Sequence, residues 1–383
     1  MKRLLSLPIL LLLAACASAP PVQPMLQTSL YNDALFAPPS KPLDVENLFT
    51  VSPEMQTFLD TEIKRRAFAE GSVMALVDTL YAKGKNKFSY DATTTKNAAG
   101  VFAAHSGNCL SYTIMTAAFA KKMDLPVQFH VVTYGDVWDR GSNIDFRIGH
   151  VNLTVGSRMD HTQEMAQLID FAAAQDAHGQ YLDDIGEDVI IAMYLNNRAA
   201  EAMTSNNLDD AYWFAREAAK RAPSYLAGYN TLGVIYMRHN NMVDAERVFS
   251  RVLDREPENL LAMSNKVMAL KALGRDTEAT ALAAQLAQIQ PYPPFYYFNR
   301  GVRAMEQHDY VTAKADFTKE VSRASYNHQF HFWLALADYN LGDMTETQHQ
   351  LLVAMENSPN DQQQGIYAAK LAYLKQQIAK KTN

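Results

Sequence analysis

The chain has 383 residues, 48% hydrophobic and 20% charged, a globular composition with enough apolar material for more than one core. Its formal net charge is −6, and basic residues cluster only at Lys64-Arg65-Arg66 and Lys380-Lys381. Nucleic-acid binding needs a basic footprint, so that class is set aside. With no GxxxxGK, GxGxxG, HExxH or CxxC pattern, neither a cofactor nor a metal is expected.

The N-terminus reads as an address. Lys2 and Arg3 precede an apolar run, Leu4 to Leu13, and Leu13-Ala14-Ala15-Cys16 offers a small-residue cleavage site. A run of about ten residues is too short to cross a bilayer, which needs roughly twenty. Cleavage before a cysteine resembles the bacterial lipobox. That resemblance implies a signal peptide over 1–15 and a lipid on Cys16 that attaches the chain to a membrane. Ala17 stands where lipoproteins kept at the inner membrane of Gram-negative bacteria tend to carry aspartate, which points to the outer membrane, facing the periplasm. Loss of Lys2 and Arg3 takes the net charge from −6 to near −8. Cys109 then holds the one free thiol, and an unpaired thiol in an oxidising compartment is either buried or used.

Residues 16–50 contain Pro20, Pro21, Pro24, Pro38, Pro39 and Pro42 and read as an extended tether. A domain follows over 51–188. Ser52-Pro53-Glu54 opens a helix to about Phe68, Gly71 breaks it, and a second helix runs from Val73 to Lys83. Phe88 to Asn97 is a polar connection. Cys109 then starts a helix ending near Met123. Alternating patterns follow: Val127 to Tyr134 and Gly149 to Val155 read as strands, and Gln167 to Phe171 as a third. Helices first and antiparallel strands afterwards predict an α+β domain.

From about residue 189 a repeat takes over. Ala211, Ala245, Ala279 and Ala313 are 34 apart, as are Pro223, Pro257 and Pro291, and Pro359 lies at twice that interval. Asn206, Asn240, Gly274, His308 and Gly342 hold the turn position. This pattern is identified as the tetratricopeptide (TPR) repeat, five units across 189–361, an all-α solenoid. Residues 362–383 form a capping helix with Ile366, Leu371, Leu374 and Ile378 on its apolar face. The groove face of the repeats includes Asn196, Asn230, Met237, Met268, Phe298 and Phe332, together with Met193, Phe295, Val302 and Met305. That lining suits an apolar peptide or protein ligand, and it equally suits packing between helices.

The chemistry gathers at Cys109. A helix N-terminus stabilises a thiolate, which needs an imidazole as base and a carboxylate to orient that imidazole. His150, on the polar side of an apolar strand, is the base candidate, with His105 as a rival and His130 read as structural. Asp170, an acid inside Leu168-Ile169-Asp170-Phe171, is the orienter, with Asp160 and Asp176 as substitutes. Pairing Val155 with Met165 would set position 150 opposite 170.

Gly107-Asn108-Cys109 opening a helix, His150 starting a strand and Asp170 in the next resemble the transglutaminase-like core, a relative of papain-type cysteine enzymes. The resemblance covers about residues 55–185. It implies Cys109 as nucleophile, His150 as general base, Asp170 as orienter, and the Cys109 N–H in an oxyanion hole. The family often carries an aromatic residue after its histidine, where this chain has Val151-Asn152. Two functions are therefore expected as alternatives. One is an envelope lipoprotein enzyme, an amide hydrolase or acyl transferase of peptidase or transglutaminase type. The other is a non-catalytic TPR scaffold with a degenerate transglutaminase-like domain.

Overall fold

A computed structural model of the protein describes residues 29–43, 45–81, 88–133, 138–141, 144–147, 150–156, 166–171 and 181–382. The signal segment, Cys16, Asp160 and Asp176 lie outside the described residues.

Helices α1 (Pro53–Phe58) and α2 (Lys64–Glu70) join through a π-helical turn at Leu59–Ile63, and Ser52 caps the start by accepting the Met55 N–H. Gly71, at φ +84°, ends this rod, and α3 (Ser72–Tyr81) follows. The expected polar connection holds real structure. It contains β1 (Ser89–Tyr90), and α4 (Ala98–Ala104) and β2 (Ser106–Gly107) follow it, with β1 and β2 paired in parallel.

Helix α5 (Cys109–Lys122) is the centre of the first core. Every residue from Leu110 to Ala120 is buried, so the helix is apolar all round and shows no one-sided stripe. Asn108 caps its start, and Lys121 and Lys122 complement the dipole in its last turn. Beside it lies an antiparallel sheet in the order β7 (Gln167–Ile169), β6 (His150–Val155), β3 (Val127–Thr133), β8 (Tyr181–Ile185). Strand β8 was not foreseen, because Asp183 and Asp184 interrupt its apolar pattern. Strands β4 (Trp138–Gly141) and β5 (Ile144–Arg147) form a separate hairpin. Phe129, Val151, Leu153, Val155 and Ile169 share one core with α5.

The expected strand register is off by two. Strand β6 pairs with β7 through Leu153↔Ile169 and Val155↔Gln167, which sets Asp170 beside Asn152 rather than His150. A slip of two keeps every side chain on its own face, so Asp170 still reaches His150 on the diagonal.

The second half is a row of antiparallel helix pairs: α6 (Glu187–Thr204) with α7 (Leu208–Arg221), α8 (Leu226–Arg238) with α9 (Met242–Leu253), and α10 (Leu260–Ala272) with α11 (Asp276–Ile289). Then come α12 (Tyr296–Glu306) with α13 (Tyr310–Arg323), α14 (His328–Leu341) with α15 (Met344–Glu356), and the final α16 (Asp361–Thr382). The four alanines of the 34-residue period are fully buried where helices meet. Asn206, Asn240, Gly274, His308 and Gly342 all take positive φ, the left-handed turn that closes each pair. Gly233 and Gly301 admit a phenylalanine ring of the following helix, Phe249 and Phe317, so closely that a Cβ would sit 2.4 and 2.5 Å from it.

Three expectations need correction. Within the expected tether, residues from Ser29 to Ser40 pack along the first two helix pairs as a strap. Phe36 stacks on Tyr212 with ring centroids 4.0 Å apart, Asp33 pairs with Arg216 at 2.8 Å, and Trp213 Nε1 donates to the Ala37 carbonyl. On the capping helix, Tyr367, Leu371 and Leu374 are buried while Ile366 is exposed; the Ile378 side chain lies outside the described set. Lastly, the core around α5 runs across the boundary at 188. Ile190, Ile191, Met193 and Leu195 of α6 belong to it, as do Ala218 of α7 and Ala222 just after that helix.

Candidate active site at Cys109

Cys109 is the first residue of α5, where main-chain N–H groups and the helix dipole converge. Asn108 Oδ1 accepts the Ser111 N–H at 2.9 Å and the Ser111 hydroxyl at 2.8 Å, which fixes the first turn. Cys109 is half-buried, so its sulfur is neither sealed in the core nor fully open.

His150 opens β6 and is buried. Its Nε2–H donates to Asp170 Oδ1 at 2.6 Å, and its ring lies close to the Cys109 side chain. Asn152 Nδ2 donates to the other Asp170 oxygen at 3.1 Å, so the carboxylate is held from two sides. Burial alone would pull His150 down. The hydrogen bond to Asp170 and the closeness of Cys109, with the negative charge of both partners, outweigh it and push His150 up to about 9. The arrangement thus keeps an imidazolium beside sulfur at neutral pH, and Asp170 fixes the ring.

Cys109, His150 and Asp170, far apart in sequence, are therefore brought together. His105 is not among them. It closes α4 in a left-handed conformation and packs its ring on Phe88 and Phe102. His130 makes a separate pair, bonding Asp184 and Thr154 at 2.8 Å each.

Tyr90 was not anticipated. It sits in β1 beside Gly107, and its hydroxyl lies close to both the Cys109 main-chain N–H and the Cys109 side chain. Burial and the nearby Cys109 charge lift this phenol above its usual range. The N–H expected to serve an oxyanion hole thus has Tyr90 beside it, so an acyl oxygen entering there must displace or share that hydroxyl. The one sequence signal for Tyr90 is its place in Phe88-Ser89-Tyr90, a short apolar island before a polar loop.

The groove residues divide. Met193 belongs to the first core, and Phe298 packs among Phe295, Phe317, Phe330 and Trp333. Phe332 lies against Tyr367 and Lys370 of the capping helix. Asn230 is buried, its amide reaching Asn259 at 3.5 Å, and Asn196 and Met237 are half-buried. Met268 stays open, at 48% exposure. Most of the expected groove lining is therefore packing. Among the described residues, no three His, Cys, Asp or Glu side chains are arranged to hold a metal ion, and no helix is long and apolar enough to cross a membrane.

No protein-family model matches the chain, and no curated protein does. Among solved structures it is similar to TTC0263, a TPR protein of Thermus thermophilus, at 16% identity and a TM-score of 0.29, over 47% of this chain and 99% of that one. MamA from Desulfovibrio magneticus RS-1 matches at 16% identity and a TM-score of 0.27, over 45% of this chain and 96% of that one. YrrB, a TPR protein described as having an unusual peptide-binding site, matches at 17% identity and a TM-score of 0.26, over 47% and 92%. The repeat half of the chain is a solenoid of TPR type. Its own helix pairs and 34-residue register carry that statement, since likenesses at this level of superposition add no weight to it.

Proposed function

We propose that the repeat half is a protein-interaction scaffold and that the domain in front of it performs thiol-dependent acyl transfer on an amide. The observation that carries the second part is the placing of Cys109 at a helix start beside His150, whose Nε2–H donates to Asp170 Oδ1 at 2.6 Å. It is the constellation expected for the transglutaminase-like class, so this reading takes the α+β domain as a member of it.

In the proposed reaction Cys109 sulfur, as thiolate, attacks the amide carbonyl carbon and forms a C–S bond. The C–N bond then breaks, and the amine leaves with the proton from the His150 imidazolium. Water or a second amine attacks the thioester while His150 takes its proton. Sulfur leaves as thiolate, and an acid or a new amide is released. Asp170 stays ionised and keeps the imidazolium oriented.

A second reading, a scaffold without catalysis, is favoured by Tyr90, whose hydroxyl lies close to the Cys109 N–H. Alkylation separates the two. Iodoacetamide should modify Cys109 of the folded chain faster at neutral pH than it modifies a free thiol, and His150→Ala should slow it. A rate equal to that of a free thiol would leave the scaffold reading standing.

The same proposal places the protein in the cell envelope, lipid-anchored through Cys16 and facing the periplasm from the outer membrane. Support comes from Lys2-Arg3, the Leu4 to Leu13 run and Leu13-Ala14-Ala15-Cys16. Metabolic labelling with an alkynyl fatty acid should mark the wild type and miss Cys16→Ser; equal labelling would remove the anchor.

A further inference from the structure

The loop between β1 and α4 is held by both halves of the molecule. Its first residue, Asp91, donates its N–H to the Gly107 carbonyl at 3.0 Å, and the Ala92 N–H donates to the Pro359 carbonyl, at the end of the last repeat, at 3.1 Å. At the other end of the loop Thr95 is buried against the first repeat helix. Its N–H donates to Glu201 Oε1 at 2.6 Å, and its hydroxyl lies close to the same carboxylate. That hydroxyl accepts from Asn197 Nδ2 at 3.2 Å and from Asn108 Nδ2 at 2.9 Å. Lys96, next in line, donates its N–H to Ser111 Oγ at 2.9 Å.

The Thr95 hydroxyl therefore accepts two hydrogen bonds, one from each side, with the Glu201 carboxylate close by. Two of the Thr95 partners, Asn197 and Glu201, lie on α6 of the solenoid. The third, Asn108, is the cap of the helix that begins with Cys109. Glu201 is itself fixed by Arg198 at 2.5 Å, and burial raises its carboxyl above the usual range despite that partner.

A cap residue works only while its own side chain is held, because Asn108 Oδ1 must face the first-turn N–H groups. The amide end of Asn108 is held by Thr95 alone among the hydrogen bonds it donates here. A shift of α6 thus reaches the turn that aims the sulfur through the Thr95 hydroxyl, beside the core that the two helices share.

We propose that Thr95 is a positioning residue for Cys109 and that through it the first repeat of the solenoid sets the geometry of the thiol. This rests on the reading of Cys109 as a nucleophile. It adds that the repeats are part of the reactive apparatus and that a protein bound on them is felt at sulfur. A buried threonine that only filled space would tolerate valine, which matches it in shape and lacks the hydroxyl.

The test compares the full chain with Thr95→Val, Thr95→Ser and, on the solenoid side, Asn197→Ala. Two quantities are read: the rate of iodoacetamide labelling of the Cys109 peptide by mass spectrometry across pH 5 to 10, and amide hydrogen exchange at Leu110 to Tyr112. Thr95→Val should slow labelling and change its pH profile. It should also speed exchange in that first turn on the order of fivefold, the effect of losing a good cap. Thr95→Ser should restore both to wild-type values, and Asn197→Ala, which leaves the active-site domain untouched, should produce an intermediate change. Wild-type labelling and exchange in Thr95→Val would overturn the proposal, and so would failure of Thr95→Ser to restore them. A wild-type thiol no faster than free cysteine sinks the nucleophile reading. Exchange that still responds to Asn197→Ala in that case keeps the mechanical link on its own.

Discussion

Replacing Asp170 by Asn keeps the shape of the side chain and removes the charge that holds His150 protonated. In the native protein His150 is pushed from 6.5 up to about 9, and its side chain is only 10% exposed, so little solvent screening intervenes. At 1.36 kcal/mol for each tenfold change in proton affinity, this corresponds to about 3 kcal/mol of stability linked to the imidazolium. Because the folded-state value is raised, the contribution is fully present below pH 6.5, where His150 is protonated in both states. It fades as pH rises through about 9, where the native ring loses its proton. In Asp170→Asn only Cys109 still opposes burial at His150, so most of that contribution disappears. Urea denaturation of both chains at steps from pH 6 to 10 should therefore show a gap approaching 3 kcal/mol below pH 6.5 that narrows steadily from there and is nearly closed by about pH 9. A nitrogen-15 titration of the ring in parallel should show its midpoint falling in the variant. A stability gap that is constant with pH, or a ring that titrates near 6.5 in the wild type, would refute the pairing.

Other outcomes are open to direct measurement. His150→Ala should lower the rate of Cys109 alkylation at pH 7 at least tenfold, read by mass spectrometry, with secondary structure unchanged by circular dichroism. Tyr90→Phe should raise the alkylation rate, because it removes the hydroxyl that lies close to both the sulfur and its N–H; a slower rate would make Tyr90 an aid to the thiol rather than a cap on it. Gly233→Ala and Gly301→Ala should each destabilise the solenoid by roughly 1–3 kcal/mol, visible as a lower Tm, since the new Cβ meets the Phe249 or Phe317 ring. Phe36→Ala should cost about 3 kcal/mol by removing the ring stacked on Tyr212, with faster hydrogen exchange confined to α7–α9.

The parts of the molecule that could be read from sequence are those whose signal is local. A cap asparagine before a helix, alternation along β6 and a 34-residue period each show within a few residues or recur many times. Cys109, His150 and Asp170 carry such signals, and the structure sets them side by side. Thr95 carries none, and Tyr90 only its place in a three-residue apolar island. Strand β1 is two residues long, too short to show a period, and its partner lies 17 residues away at β2. Thr95 owes its importance to Asn197 and Glu201, about a hundred residues later. The strand register was open because a slip of two leaves the same faces paired. The groove positions misled for a related reason. In stacked helix pairs the face toward a ligand and the face toward the next helix share the same apolar composition, and Phe298 and Phe332 serve the second.

Helix α6 belongs to two structures at once, giving Ile190, Ile191, Met193 and Leu195 to the first core and Ala199 and Met203 to the second. Units of this kind are commonly treated as interchangeable beads on a string. Here a splice at residue 188 would strip one bead of the core side chains that α6 supplies, and the other would lose the partner of its first helix. The two halves can therefore be inherited, swapped or grafted onto another chain only as one piece, α6 included.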